Sequence, residues 1–149
     1  MLKLLQKVFG SKHDKDVKAL LPVVEEINTI FASLSTKSDD ELRLRVDELR
    51  ADVQGTIADL VAEAEEIRQR LRTDAELDHD ERSDLYARLA EIDKEEYRTM
   101  QDRLNELLPE AFAIVKETCR RLVGHRYNVV GNEVTWDMVP YDVQLIGGI

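Results

Sequence analysis

Two stretches of leucine-rich, highly charged sequence decide the fold: ELRLRVDELRADVQGTIADLVAEAEEIRQRL at residues 41–71 and LYARLAEIDKEEYRTMQDRLNEL at residues 85–107. In the first stretch, apolar side chains recur every three or four positions, with one stutter beside Gly55. These positions are Leu42, Val46, Leu49, Val53, Ile57, Leu60, Ala64, Ile67 and Leu71. The second stretch repeats the spacing, apart from a slip at Glu95 and Glu96. Since so narrow an apolar seam needs one partner helix, the pattern predicts a long antiparallel helical hairpin over residues 39–108.

Both helices of this hairpin carry a start signal. Ser38 is followed three residues later by Glu41, and Asp78 is followed in the same way by Glu81. This is the spacing of a capping box, in which each side chain accepts a hydrogen bond from the backbone N–H of the other residue. We therefore expect one long helix to start at Ser38 and to run through Leu71, and its partner to start at Asp78.

The flanking sequence predicts further helices and a small β-hairpin. Apolar spacing favours a helix over residues 14–33, and Pro109 suits the first position of a new helix that ends at Gly124. Strands are expected at 127–130 and 133–136, joined by a turn at Gly131–Asn132. The closing apolar run, residues 141–149, is interpreted as a strand. The fold class is therefore mainly α, with a helical hairpin, flanking helices and a small β-hairpin.

Charge and composition exclude several functional classes. The net charge is −10, and residues 39–106 alone contribute −11, which argues against nucleic acid as a partner. A single cysteine, Cys119, suits a reducing compartment. No apolar run approaches a membrane span, and the first residues do not form a secretory signal, so we expect a cytoplasmic protein.

The first 18 residues differ in charge from the rest, with a formal charge of +3. Leu2, Leu5 and Phe9 lie at helical spacing among lysines, and Gly10 is a suitable end for a short helix. A basic amphipathic helix of this kind binds an anionic membrane surface or a partner, whereas so short a helix is equally explained as a strap on the rest of the protein.

Catalytic and metal chemistry find no support in the sequence. Cys119 and His125 lack the partners of a zinc site, and the acidic run around His79 lacks the glycine of a calcium loop. No Gly-x-x-x-x-Gly-Lys-Ser/Thr loop occurs in the 149 residues. We assign no catalytic residue and no metal ligand, and do not expect the chain alone to hydrolyse ATP.

The closing segment carries the one specific binding signal. Gln144 has an amide donor and an acceptor, which match the outer edge of adenine, and Tyr141 and Met138 could sandwich the base. The alternative is that this segment is a core strand entering a turn at Gly147–Gly148.

Four blocks of sequence, in order, resemble the SecA family of ATP-driven preprotein translocase motors. They are residues 4–11, Leu34 with residues 38–42, residues 108–117, and residues 141–148, the last of which is similar to the family's Q motif. The resemblance implies that Gln144 reads adenine, with Tyr141 and Met138 flanking the base, and that ATP or ADP is the ligand of the full-length protein. Tyr141 stands where the family more often has Phe, which keeps the ring.

The resemblance also implies an organisation and a set of partners. Residues 1–38 would be a basic helix and a connecting helix, 39–108 a variable inserted hairpin, and 109–149 the start of the first nucleotide-binding domain. A short additional insertion would supply the β-hairpin. The partners would be the translocon channel, preproteins and the anionic inner membrane, to which a cytoplasmic protein would attach peripherally. A homo-oligomer is compatible with these features. The alternative is a free-standing helical hairpin that acts as a scaffold or dimerisation module.

Overall fold

The computed structural model describes residues 12–149 and confirms the mainly helical fold. The elements, in chain order, are α1 (Lys12–Leu34), α2 (Asp39–Thr56), α3 (Ala58–Thr73), α4 (His79–Leu122), β1 (Arg126–Val129), β2 (Asn132–Thr135) and α5 (Asp142–Gly148). The short helix predicted over residues 1–9 lies outside the described residues.

The chain divides into two compact units. We call Arg43–Leu107 the arm, and the residues up to Leu42 together with Leu108–Ile149 the base unit. The arm falls within the inserted segment predicted at 39–108. The functional division into three segments stays a prediction.

Both predicted capping boxes are present. The Ser38 backbone N–H donates to the Glu41 carboxylate over 2.7 Å, and the Glu41 N–H donates to Ser38 Oγ over 3.2 Å. The Asp78 N–H donates to the Glu81 carboxylate over 3.1 Å, and the Glu81 N–H donates to Asp78 Oδ1 over 2.8 Å. Each pair satisfies N–H groups that have no partner inside the helix, which fixes the starts of α2 and α4.

The arm pairs α2 and α3 with the first part of α4. Arg103 on α4 binds both carboxylate oxygens of Asp52 on α2, and Arg88 on α4 binds both oxygens of Glu63 on α3 at 2.7 and 2.8 Å. Asp52 precedes Glu63 in the chain, whereas its partner Arg103 follows Arg88, so the paired helices run antiparallel. Fully buried Ile92 lies in the seam.

The one long helix predicted from Ser38 through Leu71 is divided into α2 and α3, because the chain leaves helical geometry at Ile57. Ile57 has φ −109° and ψ 2°, and its N–H reaches back only to Gln54 over 3.4 Å. Gly55 lowers helix propensity here, and the stutter would otherwise rotate the apolar stripe away from the partner helix. The interruption keeps Ile57 buried.

A new helix at Pro109 is also not formed, because α4 passes through Pro109 to Leu122. Proline removes one backbone hydrogen bond and disfavours helix at the preceding residue, at a cost of about 3 kcal/mol. The helical face that follows it buries Ala113 and Ile114, and this burial offsets the cost.

The β-hairpin is confirmed, but its turn lies one residue earlier than predicted. Val129 pairs with Asn132, so the two turn residues are Val130 and Gly131, with φ values of 50° and 85°. Positive φ at both positions is the type I′ geometry that matches the twist of a hairpin. The Gly131 N–H donates to Asn128 Oδ1 over 2.8 Å, which holds the turn.

The closing run is helical, so its interpretation as a strand is wrong. A strand needs a neighbouring strand for its backbone groups, whereas α5 satisfies its own backbone and buries Leu145 against the base unit. The core of the base unit consists of Val24, Ile27, Leu34, Leu42, Ala113, Ile114, Cys119 and Leu145. Burial raises the pKa of the Cys119 thiol, as expected of a packing residue rather than a nucleophile.

Candidate functional site

The N-terminus of α5 brings together two of the three predicted site residues. Tyr141 precedes the first residue of the helix, and Gln144 stands three residues later, so its side chain folds back over the helix start. The Tyr141 backbone N–H donates to Gln144 Oε1 over 2.8 Å, and the Gln144 N–H donates to the Tyr141 carbonyl oxygen over 2.9 Å. The carboxamide of Gln144 is therefore held in one orientation, with its oxygen towards the backbone of Tyr141.

All three predicted site residues are at the surface. Gln144 is exposed, and Tyr141 and Met138 have 73% and 44% of their surface exposed. Met138 is positioned by a separate contact, in which its carbonyl oxygen accepts a hydrogen bond of 2.7 Å from the Trp136 indole. An aromatic ring, a thioether and a fixed carboxamide thus remain accessible to a ligand.

A charged cluster around the buried Lys116, which the sequence did not reveal, includes the first residue of α5. Lys116 on α4 is only 8% exposed; its ammonium donates to Asn28 Oδ1 over 2.7 Å and lies 3.5 Å from Asp142 Oδ1. Asn28 on α1 also donates from Nδ2 to Asp142 Oδ1 over 3.0 Å. These three residues, Asn28, Lys116 and Asp142, are called the anchor cluster below.

The electrostatics of the anchor cluster favour the charged form of Asp142. Its pKa is lowered, first by the hydrogen bond from Asn28 and then by the charge of Lys116. The Lys116 ammonium also lies 5.2 Å from the centroid of the Phe31 ring, within the range of a cation–π interaction. No short-range pattern could have predicted this cluster, because its members are separated by 88 and 114 positions along the chain.

The far end of α5 is held by close packing. A Cβ atom on Gly148 would stand 3.1 Å from Cε1 of Phe112, whereas one on Gly147 would meet nothing within 4 Å. With Leu145 buried between the two ends, α5 is attached to the base unit along its whole length.

Neither metal binding nor a membrane span is indicated by the part of the chain that the structure describes. Over residues 12–149, no group of three or more His, Cys, Asp or Glu side chains is arranged to hold a metal ion. Within the same residues, no helix has the length and apolar character needed to cross a bilayer.

An exposed carboxamide and an exposed aromatic ring lie at the start of α5, and comparison with known proteins gives the family of the chain. The family model of the SecA DEAD-like domain matches residues 5–149. The chain therefore belongs to the SecA DEAD-like domain family.

Curated relatives agree with this family. The protein translocase subunit SecA of Prosthecochloris aestuarii is 50% identical over all 149 residues, and that of Chlorobaculum tepidum is 44% identical over the same length. The SecA subunit of Chlorobium phaeobacteroides is 46% identical, again over the whole chain. The chain spans only 14% of the length of each of these relatives. No solved structure matches the chain significantly.

Proposed function

We propose that this chain is the N-terminal portion of a SecA preprotein translocase motor and that its α5 segment recognises the adenine of ATP or ADP. The observation that carries the proposal is the oriented carboxamide of Gln144. Its oxygen accepts the Tyr141 N–H and retains a second lone pair for the amino group of adenine, while its nitrogen can donate to an acceptor on the same edge of the base.

Tyr141 and Met138 would complete the adenine site. Both side chains are exposed, and an aromatic ring and a thioether are suited to contact the two faces of a base. The phosphates would be held elsewhere, because the 149 residues contain no phosphate loop.

The test is base selectivity in the full-length protein that contains this chain. Replacing Gln144 with Ala should raise the KM for ATP about tenfold, with little change in the KM for GTP, because hydrogen bonds to the adenine edge are lost. Gln69→Ala, in an exposed part of the arm, is the matched control. An unchanged ratio of KM values for ATP and GTP would rule out adenine reading by Gln144.

The isolated 149-residue chain provides a second test. It should show no ATP turnover and at most very weak nucleotide binding, since the backbone donors of a phosphate loop are missing. Turnover by the purified chain, at a rate that follows the chain through chromatography, would contradict this assignment.

We propose that the basic beginning of the chain attaches the motor to an anionic inner-membrane surface, beside the translocon channel through which the preprotein passes. The support is the formal charge of +3 over residues 1–18 with apolar residues at helical spacing. Co-sedimentation with anionic vesicles should be stronger for the intact chain than for one starting at Ser11, and this difference should shrink at high salt. Equal binding by both chains would refute the proposal.

We further propose that the arm regulates the motor by altering nucleotide exchange. Residues 39–106 contribute a charge of −11, and the ion pairs of Arg88 and Arg103 are satisfied within the arm. An acidic arm of this kind can bind a basic surface of the motor in one conformation and leave it in another.

Deletion of the arm tests this second role. Joining Arg50 to Leu107 by a short linker in the full-length protein should preserve ATP hydrolysis and change the rate of ADP release, followed by displacement of a fluorescent ADP analogue. Unchanged release and unchanged turnover would leave the arm as a solvated surface insertion without regulatory effect.

A further inference from the structure

We propose that the anchor cluster is a positioning device that sets the base selectivity of the nucleotide site by fixing the start of α5. The inference rests on the proposed role of Gln144. Asn28, Lys116 and Asp142 do not touch the nucleotide; they hold the backbone from which Gln144 and Tyr141 project.

The geometry of the cluster is a closed triangle. Lys116 donates to Asn28 over 2.7 Å, Asn28 donates to Asp142 over 3.0 Å, and the Lys116 ammonium lies 3.5 Å from the same Asp142 oxygen. One vertex lies on α1, one on α4 and one at the first residue of α5. Loss of Asn28 or Lys116 therefore releases the start of α5 from one of the two longer helices, and loss of Asp142 releases it from both.

The short length of α5 is the reason that such an anchor matters. A helix of seven residues has no stability of its own in water, so its position depends on contacts with the rest of the protein. Leu145 and Gly148 secure the middle and the end of α5, and the Asp142 side chain is hydrogen-bonded to Asn28 on α1 within the turn that carries Gln144. A displacement of Asp142 would be passed to the hydrogen bond between Tyr141 and Gln144 two residues away.

Burial of Lys116 indicates that its role is one of orientation. Burying an ammonium group is costly, and an apolar side chain of similar size would pack between α1 and α4 without that cost. What an apolar residue cannot do is attract the exposed Asp142 carboxylate and direct the carboxamide of Asn28 towards it. The charge of Lys116 therefore orients the side chains of Asn28 and Asp142 at the start of α5.

The experiment compares variants in the full-length protein. Lys116→Met should reduce the preference for ATP over GTP, measured as the ratio of KM values, by about fivefold to tenfold, the effect of losing one charged hydrogen bond. The turnover number at saturating ATP should change by less than about twofold, since the phosphates are bound elsewhere. Lys116→Arg keeps the positive charge and should restore part of the preference.

A double variant separates positioning from general destabilisation. Once Gln144 is replaced by Ala, the additional Lys116→Met substitution should have no further effect on the KM ratio, because the group being positioned is absent. Arg103→Met, which breaks a half-buried ion pair with Asp52 in the arm, is the matched control and should lower stability without changing base preference.

Asn28→Ala is the second variant, in case Lys116→Met fails to fold. It removes both amide hydrogen bonds but keeps the attraction between Lys116 and Asp142, so a smaller loss of preference in the same direction is expected. If Gln144→Ala lowers base preference while Lys116→Met and Asn28→Ala do not, the positioning role is overturned and adenine reading stands. If Gln144→Ala has no effect, the adenine assignment itself fails.

Discussion

The Arg121 guanidinium donates from Nε to Glu117 Oε1 over 2.7 Å, and the Glu117 side chain is fully buried. Arg121 also donates to the backbone carbonyl oxygens of Leu34 and Lys37, over 3.1 and 2.6 Å, and to the Asp39 carboxylate. One side chain thus joins the end of α1, the loop that follows it and the start of α2 to α4.

We therefore expect Glu117→Ala to destabilise the chain by about 3 kcal/mol, because the substitution leaves Arg121 partly buried without its main partner. The measurement is the free energy of unfolding in urea. Glu133→Ala is the matched control, since Glu133 is an exposed partner of Arg126 and should cost less than about 1 kcal/mol. Equal costs for the two variants would show that the buried pair adds nothing.

Glu117 should also give the protein a pH-dependent stability. Its pKa is lowered, chiefly by the hydrogen bond from Arg120. Desolvation raises the pKa and so opposes this effect, and the hydrogen bond from Arg121 lowers the pKa further. A carboxylate with a lowered folded pKa stabilises the protein above its unfolded pKa, and this contribution is lost as the pH falls through the folded value.

The difference in unfolding free energy between the wild type and Glu117→Gln should therefore be largest near neutral pH and shrink below about pH 4. Urea titrations at a series of pH values will measure it. A difference that stays constant down to pH 3 would mean that protonation of Glu117 does not reduce the stability of the folded state.

The two glycines at the end of α5 should respond oppositely to alanine. Gly148→Ala places a Cβ against the Phe112 ring and should destabilise the chain by about 1 kcal/mol. Gly147→Ala meets no atom within 4 Å and should stabilise it by about 0.5 kcal/mol through higher helix propensity. Thermal unfolding of both variants tests this; the same sign for both would contradict the close packing of α5.

Val130 holds a backbone conformation that suits other residues better. It is a β-branched residue at φ 50° and is 95% exposed, so its side chain gains almost nothing from packing. Val130→Asn should stabilise the hairpin by about 1 kcal/mol, because Asn tolerates the left-handed region. Val129→Asn, at the neighbouring strand position, should destabilise it, and hydrogen exchange of the strand amides will report both effects.

The arm should owe part of its stability to Arg88. This side chain binds both oxygens of Glu63 and also reaches Glu95 over 3.2 Å. We expect Arg88→Met to cost about 1 kcal/mol at low salt and less at high salt, since the pairs are partly exposed. Arg98→Met is the control. Arg98 is 85% exposed and its distance of 3.9 Å from Asp102 is long for an ion pair, so this substitution should have no measurable effect on stability. A loss of stability that does not depend on salt would show that Arg88 acts through packing rather than through its ion pairs.

Local sequence patterns predicted the features that depend on near neighbours. The capping boxes at Ser38 and Asp78 and the β-hairpin all involve residues within a few positions of each other. The helix across Pro109 and the helical form of α5 depend on burial against distant parts of the chain, where tertiary packing overrides local preference.

The anchor cluster shows the same limit at the site itself. Asn28 and Lys116 have no neighbours in sequence that mark them as partners of Asp142, and each alone looks like an ordinary helix residue. Only the folding of the base unit, in which α1 packs against α5 and α4 supplies Lys116, places these groups within hydrogen-bonding distance.

The interruption at Ile57 has a consequence for how the arm can vary among SecA proteins. Because helical phase is not carried across Ile57, α3 is free to gain or lose residues in whole turns, together with the matching part of α4, without rotating the buried face of α2. The root of the arm and its outer segment are thus independent in length. An arm whose outer segment can grow or shrink while its attachment stays constant can diverge in length without disturbing the core of the base unit.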